Sequence, residues 1–452
     1  MDKSPLTDNP SESANAKSMA DDDMPSHVTS DIAFWGMTGT QGLGAFNDNM
    51  FKQLLLLLLL LTVSETADYQ SIAMLVFALP FLLFSGPAGF LADKYSKRTV
   101  VILSKVAEIV AMALGVVAFY YYETHGFAGL FVVLFLMGLQ STFFAPAKYG
   151  ILPEMLHEHD LPKANGIFLM ITFLAIIFGT VAAGAILDNF GPVESGEVLD
   201  NSKSKLWIGS GFCVLVAILG TGTSLLLRKV PASTPNSKFS MSTFAIPKKT
   251  VQLFRSDFNL LSALLASCAF WLCAGVVFPS VNSLGIDQLD LSPGRTSILS
   301  GSIGAGIALG CLIAGLLSRG KIEFRLVRIG SWGIIACLVL MALPGSEDDF
   351  GHLLGFYGSL PVLILLGVFT GFFSVPIQVY LQAKAPEDQK GQVIAEMSRA
   401  NWVAIFMSGL LYGLFDLILN YCNMDRCWLF AFTAVLMLPV ALIYHPKSET
   451  LA

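Results

Sequence analysis

Charge is scarce in this chain. Only 13% of its 452 residues are Asp, Glu, Lys or Arg, where soluble domains carry about 25%. A deficit of that size excludes an ordinary water-soluble domain. The net charge of -6 says little about partners, because much of the acidity lies in the N-terminal tail; no nucleic-acid partner is expected. Histidine is also sparse: six residues stand at no metal-binding or catalytic spacing, and His157 and His159 alternate with Glu158 and Asp160 as a solvated loop would. There is no Gly-Lys-Ser/Thr phosphate loop and no nucleophile constellation, so neither ATP hydrolysis nor another enzymatic activity, cofactor or metal is expected. Of the seven cysteines, Cys213, Cys268, Cys273, Cys311 and Cys337 lie within apolar runs, where thiols are inert. Cys422 and Cys427 flank the turn YCNMDRC, as two free thiols or as a disulfide. The first 31 residues hold seven acids against two lysines and no apolar core; they are expected to be a disordered acidic tail rather than a cleaved signal.

What is abundant is apolar. Hydrophobic residues make up 54% of the chain, with 40 glycines and 34 phenylalanines, and the mean hydropathy is +0.67. Twelve runs are long enough to cross a bilayer: 33–61, 71–91, 99–122, 127–147, 165–187 and 206–227, then 260–284, 296–317, 326–343, 353–375, 393–419 and 427–444. The expected fold is an all-α polytopic membrane protein whose twelve transmembrane helices form two six-helix pseudo-symmetric halves, residues 32–227 and 258–445, with a short tail at 446–452. Between them 228–257 is Ser/Thr/Pro-rich and basic, and reads as a cytoplasmic linker: a passive tether, or a strip lying on the anionic inner leaflet. With both termini placed inside, the inner loops hold eighteen basic residues and the outer loops four, Lys203, Lys205, Arg295 and Arg426. The positive-inside rule then makes both termini cytoplasmic.

The halves repeat one another weakly. Gly89-Phe90-Leu91-Ala92-Asp93 ends span 2, and Gly315-Leu316-Leu317-Ser318-Arg319 ends span 8, 226 residues on. Phe143-Phe144-Ala145-Pro146 in span 4 is echoed by Phe372-Phe373-Ser374-Val375-Pro376 in span 10. Parallel six-span repeats describe one large transporter architecture. The stretch from Gly89 to Arg98, with Asp93 followed by Lys94, Lys97 and Arg98, resembles the loop 2–3 motif of the major facilitator superfamily. That resemblance implies rocking of two halves about a central site, with the aspartate anchoring the cytoplasmic ends when that side is closed. The physics agrees: a carboxylate is stabilised at a helix N-terminus by free N–H groups and the helix dipole. The candidate helix is span 11, starting near Gly391, with Lys97, Arg98 and Lys148 placed to hold or release Asp93. The plainer reading is a positive-inside loop. Arg319 stands where the second copy's aspartate would be, so that half needs other contacts, such as Glu323 or the i, i+3 pair Glu396 and Arg399.

A narrower resemblance rests on Ala145-Pro146-Ala147-Lys148-Tyr149-Gly150-Ile151-Leu152-Pro153-Glu154, on Leu161-Pro162-Lys163-Ala164-Asn165-Gly166, and on Ala45 to Lys52 and Gly320 to Glu323. These are similar to bacterial lysophospholipid transporters, which implies a multi-pass inner-membrane protein. It would flip lysophosphatidylethanolamine or lysophosphatidylglycerol for re-acylation. It would act as a monomer among membrane lipids, with any lysophospholipid acyltransferase a separate partner. A carrier of another small metabolite or drug, or a scaffold that docks an acyltransferase without transporting, remains open.

The question of cargo centres on AFNDNMFKQ followed by eight leucines. An ion in the bilayer centre costs at least roughly 2.5–3.5 kcal/mol. Asp48 and Lys52, at i and i+4, share one helix face. Given a lysophospholipid, Lys52 suits the phosphate, Asp48 an ammonium, Asn47 and Asn49 the hydroxyls, and Glu108 in span 3 a second ammonium contact. Lys105, nearer the surface, is expected to snorkel out, and the leucines to fill the outer half. Against this, Asp48 and Lys52 could neutralise each other, Asp48 could pair with Lys105, or the pair could carry protons. Asn282, Gln140 and Gln378 read as interhelical glue or as cavity lining, and Asp416 as interfacial.

Overall fold

The computed structural model describes residues 30–62, 69–156, 161–195, 198–200, 204–239, 248–318, 321–345, 351–384, 390–444 and 449–450. The acidic tail before residue 30, His157 and His159, and the segment 446–448 lie outside them. In lipid each backbone N–H and C=O must be paired within its own segment, so the apolar runs become helices. They are α1 (Ile32–Thr62), α2 (Gln70–Lys94), α3 (Lys97–His125), α4 (Ala128–Met155), α5 (Leu161–Phe190) and α6 (Trp207–Ser224). After a linker helix (Lys248–Ser256) come α7 (Phe258–Ser283), α8 (Pro293–Ser318), α9 (Phe324–Met341), α10 (Gly355–Ala383), α11 (Lys390–Cys422) and α12 (Trp428–Ile443). Each of the twelve expected positions thus holds a helix, and ten of these are long and apolar enough to cross a membrane. α12 is shorter, and α1 carries Asp48 and Lys52. The described residues also form two minimal antiparallel ladders: β1 (Val193–Ser195) with β2 (Val198–Asp200), and β3 (Lys321–Ile322) with β4 (Glu449–Thr450).

The face at which α2 ends and α3 begins is the basic face; the opposite one is the far face. α3 shows how the sequence sorts itself between lipid and protein. Leu103, Val106, Val110, Leu114 and Val117 form an exposed stripe at spacings of three and four, as a lipid-facing side requires. Val101, Lys105, Glu108, Met112 and Phe119 on the other side are buried. The leucines of α1 behave differently from that exposed stripe. Leu54 through Leu59 are buried against protein rather than lipid, because α1 is enclosed by α4, α5 and α6.

Close helix contact comes from missing side chains, since lipid gives little hydrophobic drive for helices to associate. Gly306 and Gly310 on α8 face Gly367 and Gly371 on α10. A Cβ at Gly306 would lie 2.0 Å from the Ile364 carbonyl oxygen, and one at Gly310 2.3 Å from that of Val368. The two backbones therefore touch.

The linker is more than a tether at its first end. Arg228 pairs with Asp31 at 3.1 Å. The Thr234 N–H donates to the Asp93 carbonyl at 2.9 Å, and Phe239 sets its ring edge-on to Phe90. Residues up to 239 are thereby strapped onto the basic-face ends of α2 and α3. Residues 240–247 lie outside the described set.

Candidate functional site

α1 places its polar residues on two different sides. Asp48, Asn49 and Lys52 are half-buried, whereas Asn47 is fully enclosed. Asp48 accepts hydrogen bonds from Ser141 Oγ at 2.7 Å and, at 3.4 Å, from Gln140 Nε2, both on α4. Lys52 Nζ lies 5.5 Å from the centre of the Phe77 ring on α2 and donates to Asn49 Oδ1 at 3.4 Å. Asn49 in turn donates to its own helix, at the Ala45 carbonyl, 2.8 Å away. Asp48 and Lys52 make no ion pair with one another among the described residues; each is met by neutral groups. Phe77 also touches Trp402 of α11, centroids 6.3 Å apart, and Trp402 stacks on Phe81 at 3.5 Å. The site thus has charged and amide groups from α1 and α4 and an aromatic wall shared by α2 and α11.

Asn47 and Glu108 belong to a different cluster. Asn47 donates to Glu108 Oε1 at 2.9 Å and to the Cys213 carbonyl at 3.0 Å. Glu108 forms an ion pair with Lys105, both about 1% exposed. Lys105 does not snorkel: its ammonium turns inward between α1, α3 and α6, where Gly44 and Gly220 leave room for it. Asp48 makes no ion pair with Lys105 among the described residues either. Sequence reasoning grouped Asn47 and Glu108 with Asp48 and Lys52. The structure separates them by helix rotation, since neighbours in sequence lie about 100° apart around the axis.

A polar knot is built on Gln53, the residue after Lys52. Asn282 on α7 accepts from Gln53 at 2.8 Å and from Ser300 at 3.0 Å, and donates to Gln70 at 3.1 Å. Gln70 also reaches the Tyr412 hydroxyl at 3.1 Å. All five residues are buried, and they tie α1 and α2 to α7, α8 and α11. Asn282 is interhelical glue here, and Gln140 serves Asp48. Gln53, Gln70, Ser300 and Tyr412 were missed; the available signal was an amide within or at the edge of an apolar run, which is costly unless paired.

The residues of the basic face are placed as follows. Gly89 has nothing among the described residues within 4 Å of where a Cβ would stand. Asp93 is exposed, and its carboxylate receives no hydrogen bond from a described residue. Lys97 instead pairs with Glu154 and donates to Ser233 at 3.0 Å, and Arg98 donates to the Leu225 carbonyl at 2.9 Å. Lys148 lies over the Phe144 ring at 5.7 Å. Glu396 and Arg399 stand 3.5 Å apart on α11. The named contacts between the two sets of helices run from the far face only as deep as Phe81 and Trp402 on one side. On the other they run as deep as Ile177 and Gly304.

At the far face, Asp416 proves buried rather than interfacial, because Arg426 from the YCNMDRC turn folds over it and also reaches Asp287 at 3.6 Å. Burial alone would lower the Arg426 pKa, but Asp287 and Asp416 outweigh it and hold the guanidinium above its ordinary value. Cys422 is exposed, Cys427 buried, and both are free thiols.

A likeness to known proteins extends along most of the chain. It is 27% identical over 385 residues to the lysophospholipid transporter LplT of Enterobacter sp. (strain 638), covering 84% of this chain and 87% of that one. It is 26% identical over 389 residues to the LplT of Klebsiella pneumoniae (strain 342), at 83% and 86% coverage. Among solved structures it superposes on a POT family transporter bound to a thioalcohol-conjugated peptide with a TM-score of 0.69, at 13% identity and 91% and 94% coverage. For the nucleoside transporter NupG the TM-score is 0.63, at 14% identity and 90% and 98% coverage. The model of one family spans residues 37–409. This chain, a multi-pass membrane protein, belongs to the Major Facilitator Superfamily.

Proposed function

We propose that this transporter carries lysophospholipids between the leaflets of a bacterial inner membrane by alternating access, with Lys52 taking the phosphate, Asp48 an amine headgroup and Asn49 a glycerol hydroxyl. The observation that carries the reading is the α1 face itself. Two oppositely charged side chains about 6 Å apart along the helix axis stand half-buried, with no ion pair to each other or to Lys105 among the described residues. In a segment crossing lipid such ions mark a pathway, and here the neutral groups around them hold the side chains without pairing the charges. The similarity to the LplT proteins supports the same cargo. Phe77, Phe81 and Trp402 offer an apolar surface beside the charges, where an acyl chain can lie. The contacts that stop at mid-depth support a state shut at the far face and parted at the basic face, the latter taken as cytoplasmic. Asn47 and Glu108 then serve the site by fixing α1 against α3.

The test follows a labelled lysophosphatidylethanolamine to the inner face of proteoliposomes holding this chain alone. Wild type is expected to move it, and Lys52→Ala and Asp48→Asn to insert and fold normally with transport reduced at least tenfold. Wild-type flux in both variants would remove the charges from the path. Movement of a small hydrophile but no lysolipid would identify a different cargo, and no flux of either would favour the scaffold reading.

A further inference from the structure

At the far end of α5, the carboxylate of Asp188 crosses to the start of α8. Its Oδ1 and Oδ2 accept the Gly294 N–H at 3.0 and 3.1 Å, and Oδ2 also receives the Ser292 hydroxyl at 3.3 Å. α8 is 26 residues long, and the first N–H groups of such a helix lack partners in their own segment. A carboxylate there satisfies one of them and meets the positive end of the helix dipole. Arg295, next to Gly294 in the chain, is directed elsewhere: its guanidinium lies 5.9 Å over the Phe356 ring. Asp188 therefore grips backbone, not a charge.

The contact depends on glycine. A Cβ at Gly294 would stand 2.1 Å from Asp188 Oδ2, so any side chain there displaces the carboxylate. Deeper in, Gly184 lets α5 meet the Pro293 carbonyl and Ser297, and Gly301 and Gly304 admit Val181 and Ile177. α5 and α8 are thus in near-backbone contact over the far-face half of their length. Asp188 closes that seam at its rim, where it is exposed and can be released without stranding a buried ion.

The arrangement mirrors the one expected at Asp93. There, a carboxylate at the end of α2 would cap the start of α11. Here, a carboxylate at the end of α5 does cap the start of α8. Spans 2 and 8, and 5 and 11, are the repeat-related positions of the two halves, so the same four helices supply both caps, one at each face. In this structure the Asp188 carboxylate is engaged, while the Asp93 carboxylate is exposed and accepts no hydrogen bond from a described residue.

We propose that Asp188 is the far-face latch of this carrier: it caps α8 while the far face is closed and lets go as Asp93 engages α11. The inference rests on the alternating-access reading above. A positioning residue of this kind alters the populations of two states without touching cargo, so its readout is a population.

The experiment uses the full chain in lipid nanodiscs, in a background with its native cysteines replaced. Spin-label pairs at Thr124 and Tyr421 report the far face, and pairs at Thr99 and Arg325 the basic face. Losing an N-cap shifts an equilibrium by about fivefold. Asp188→Ala is therefore expected to raise the far-face-open population about fivefold and shorten the basic-face distance to match. Asp188→Asn, whose amide oxygen still accepts, should stay close to wild type. Gly294→Ala, which keeps the carboxylate but pushes it away, should reproduce the alanine shift, and the double variant should shift no further than either single. A wild type that exchanges between two arrangements beside an indistinguishable Asp188→Ala variant overturns the latch alone, as does additivity in the double variant. A wild type that never leaves one arrangement, even with lysolipid present, overturns alternating access and the latch with it.

Discussion

Two pairs of opposite charges lie deep in this bundle, and they behave differently. Lys105 and Glu108 on α3 close on each other, with Asn47 completing the carboxylate, and both are buried. Asp48 and Lys52 on α1 remain apart and half-buried. Spacing does not explain this, since i, i+3 and i, i+4 pairs both share a helix face. Surroundings do. The α3 pair is walled in by α1 and α6, where an unpaired ion has no water and must find its opposite. The α1 pair faces Ser141, Gln140 and Phe77, which hold the charges without cancelling them. The first pair spends its charge on packing; on the function proposed above, the second keeps it for the cargo.

The sharpest way to break that contrast is to remove one member of each pair. Glu108→Ala leaves the Lys105 ammonium buried without its partner and should cost about 3–5 kcal/mol, seen as lost expression and a lower unfolding temperature in detergent. Replacing both, with Lys105→Met and Glu108→Gln, should recover most of it, since a neutral amide still meets Asn47. Lys52→Ala should leave the unfolding temperature nearly unchanged while transport falls at least tenfold. If Lys52→Ala unfolds the chain and Glu108→Ala does not, the assignments are reversed.

A smaller effect tests the basic face. Asp93→Ala should favour the basic-face-open state by about the fivefold expected of a lost cap, opposite in sign to Asp188→Ala and with slower transport; unchanged rate and unchanged distances would discard the gate. The smallest expected effect concerns His352, in the turn between α9 and α10. Its ring is buried with Nε2 3.0 Å from the Met341 carbonyl, and burial lowers its pKa, with the Met341 contact opposing. Above about pH 6.5 the ring is neutral folded or unfolded. As the pH falls below that value only the unfolded chain gains the proton, so stability falls on acidification. A His352→Gln variant should flatten that acid limb of unfolding temperature against pH.

Most of the scaffold was legible because lipid imposes one rule on every segment: an apolar run of sufficient length must be a helix that pairs its own backbone. The positions of all twelve helices follow from that rule, and the signature around Asp93 pointed to the family. The charges in α1 were legible too, because an ion amid leucines is conspicuous against its background. What one sequence could not give was rotation and closure. Whether Asn47 faces the same side as Asp48 depends on which helices surround α1, and its leucines look lipid-facing until α4, α5 and α6 enclose them. Nor does the glycine at 294 announce that a carboxylate 106 residues earlier will need its vacant side. The one-dimensional pattern determined which segments are helices, since backbone pairing in lipid is local. Tertiary structure decided which charges neutralise each other and which stay available, since that depends on the neighbours each helix face meets.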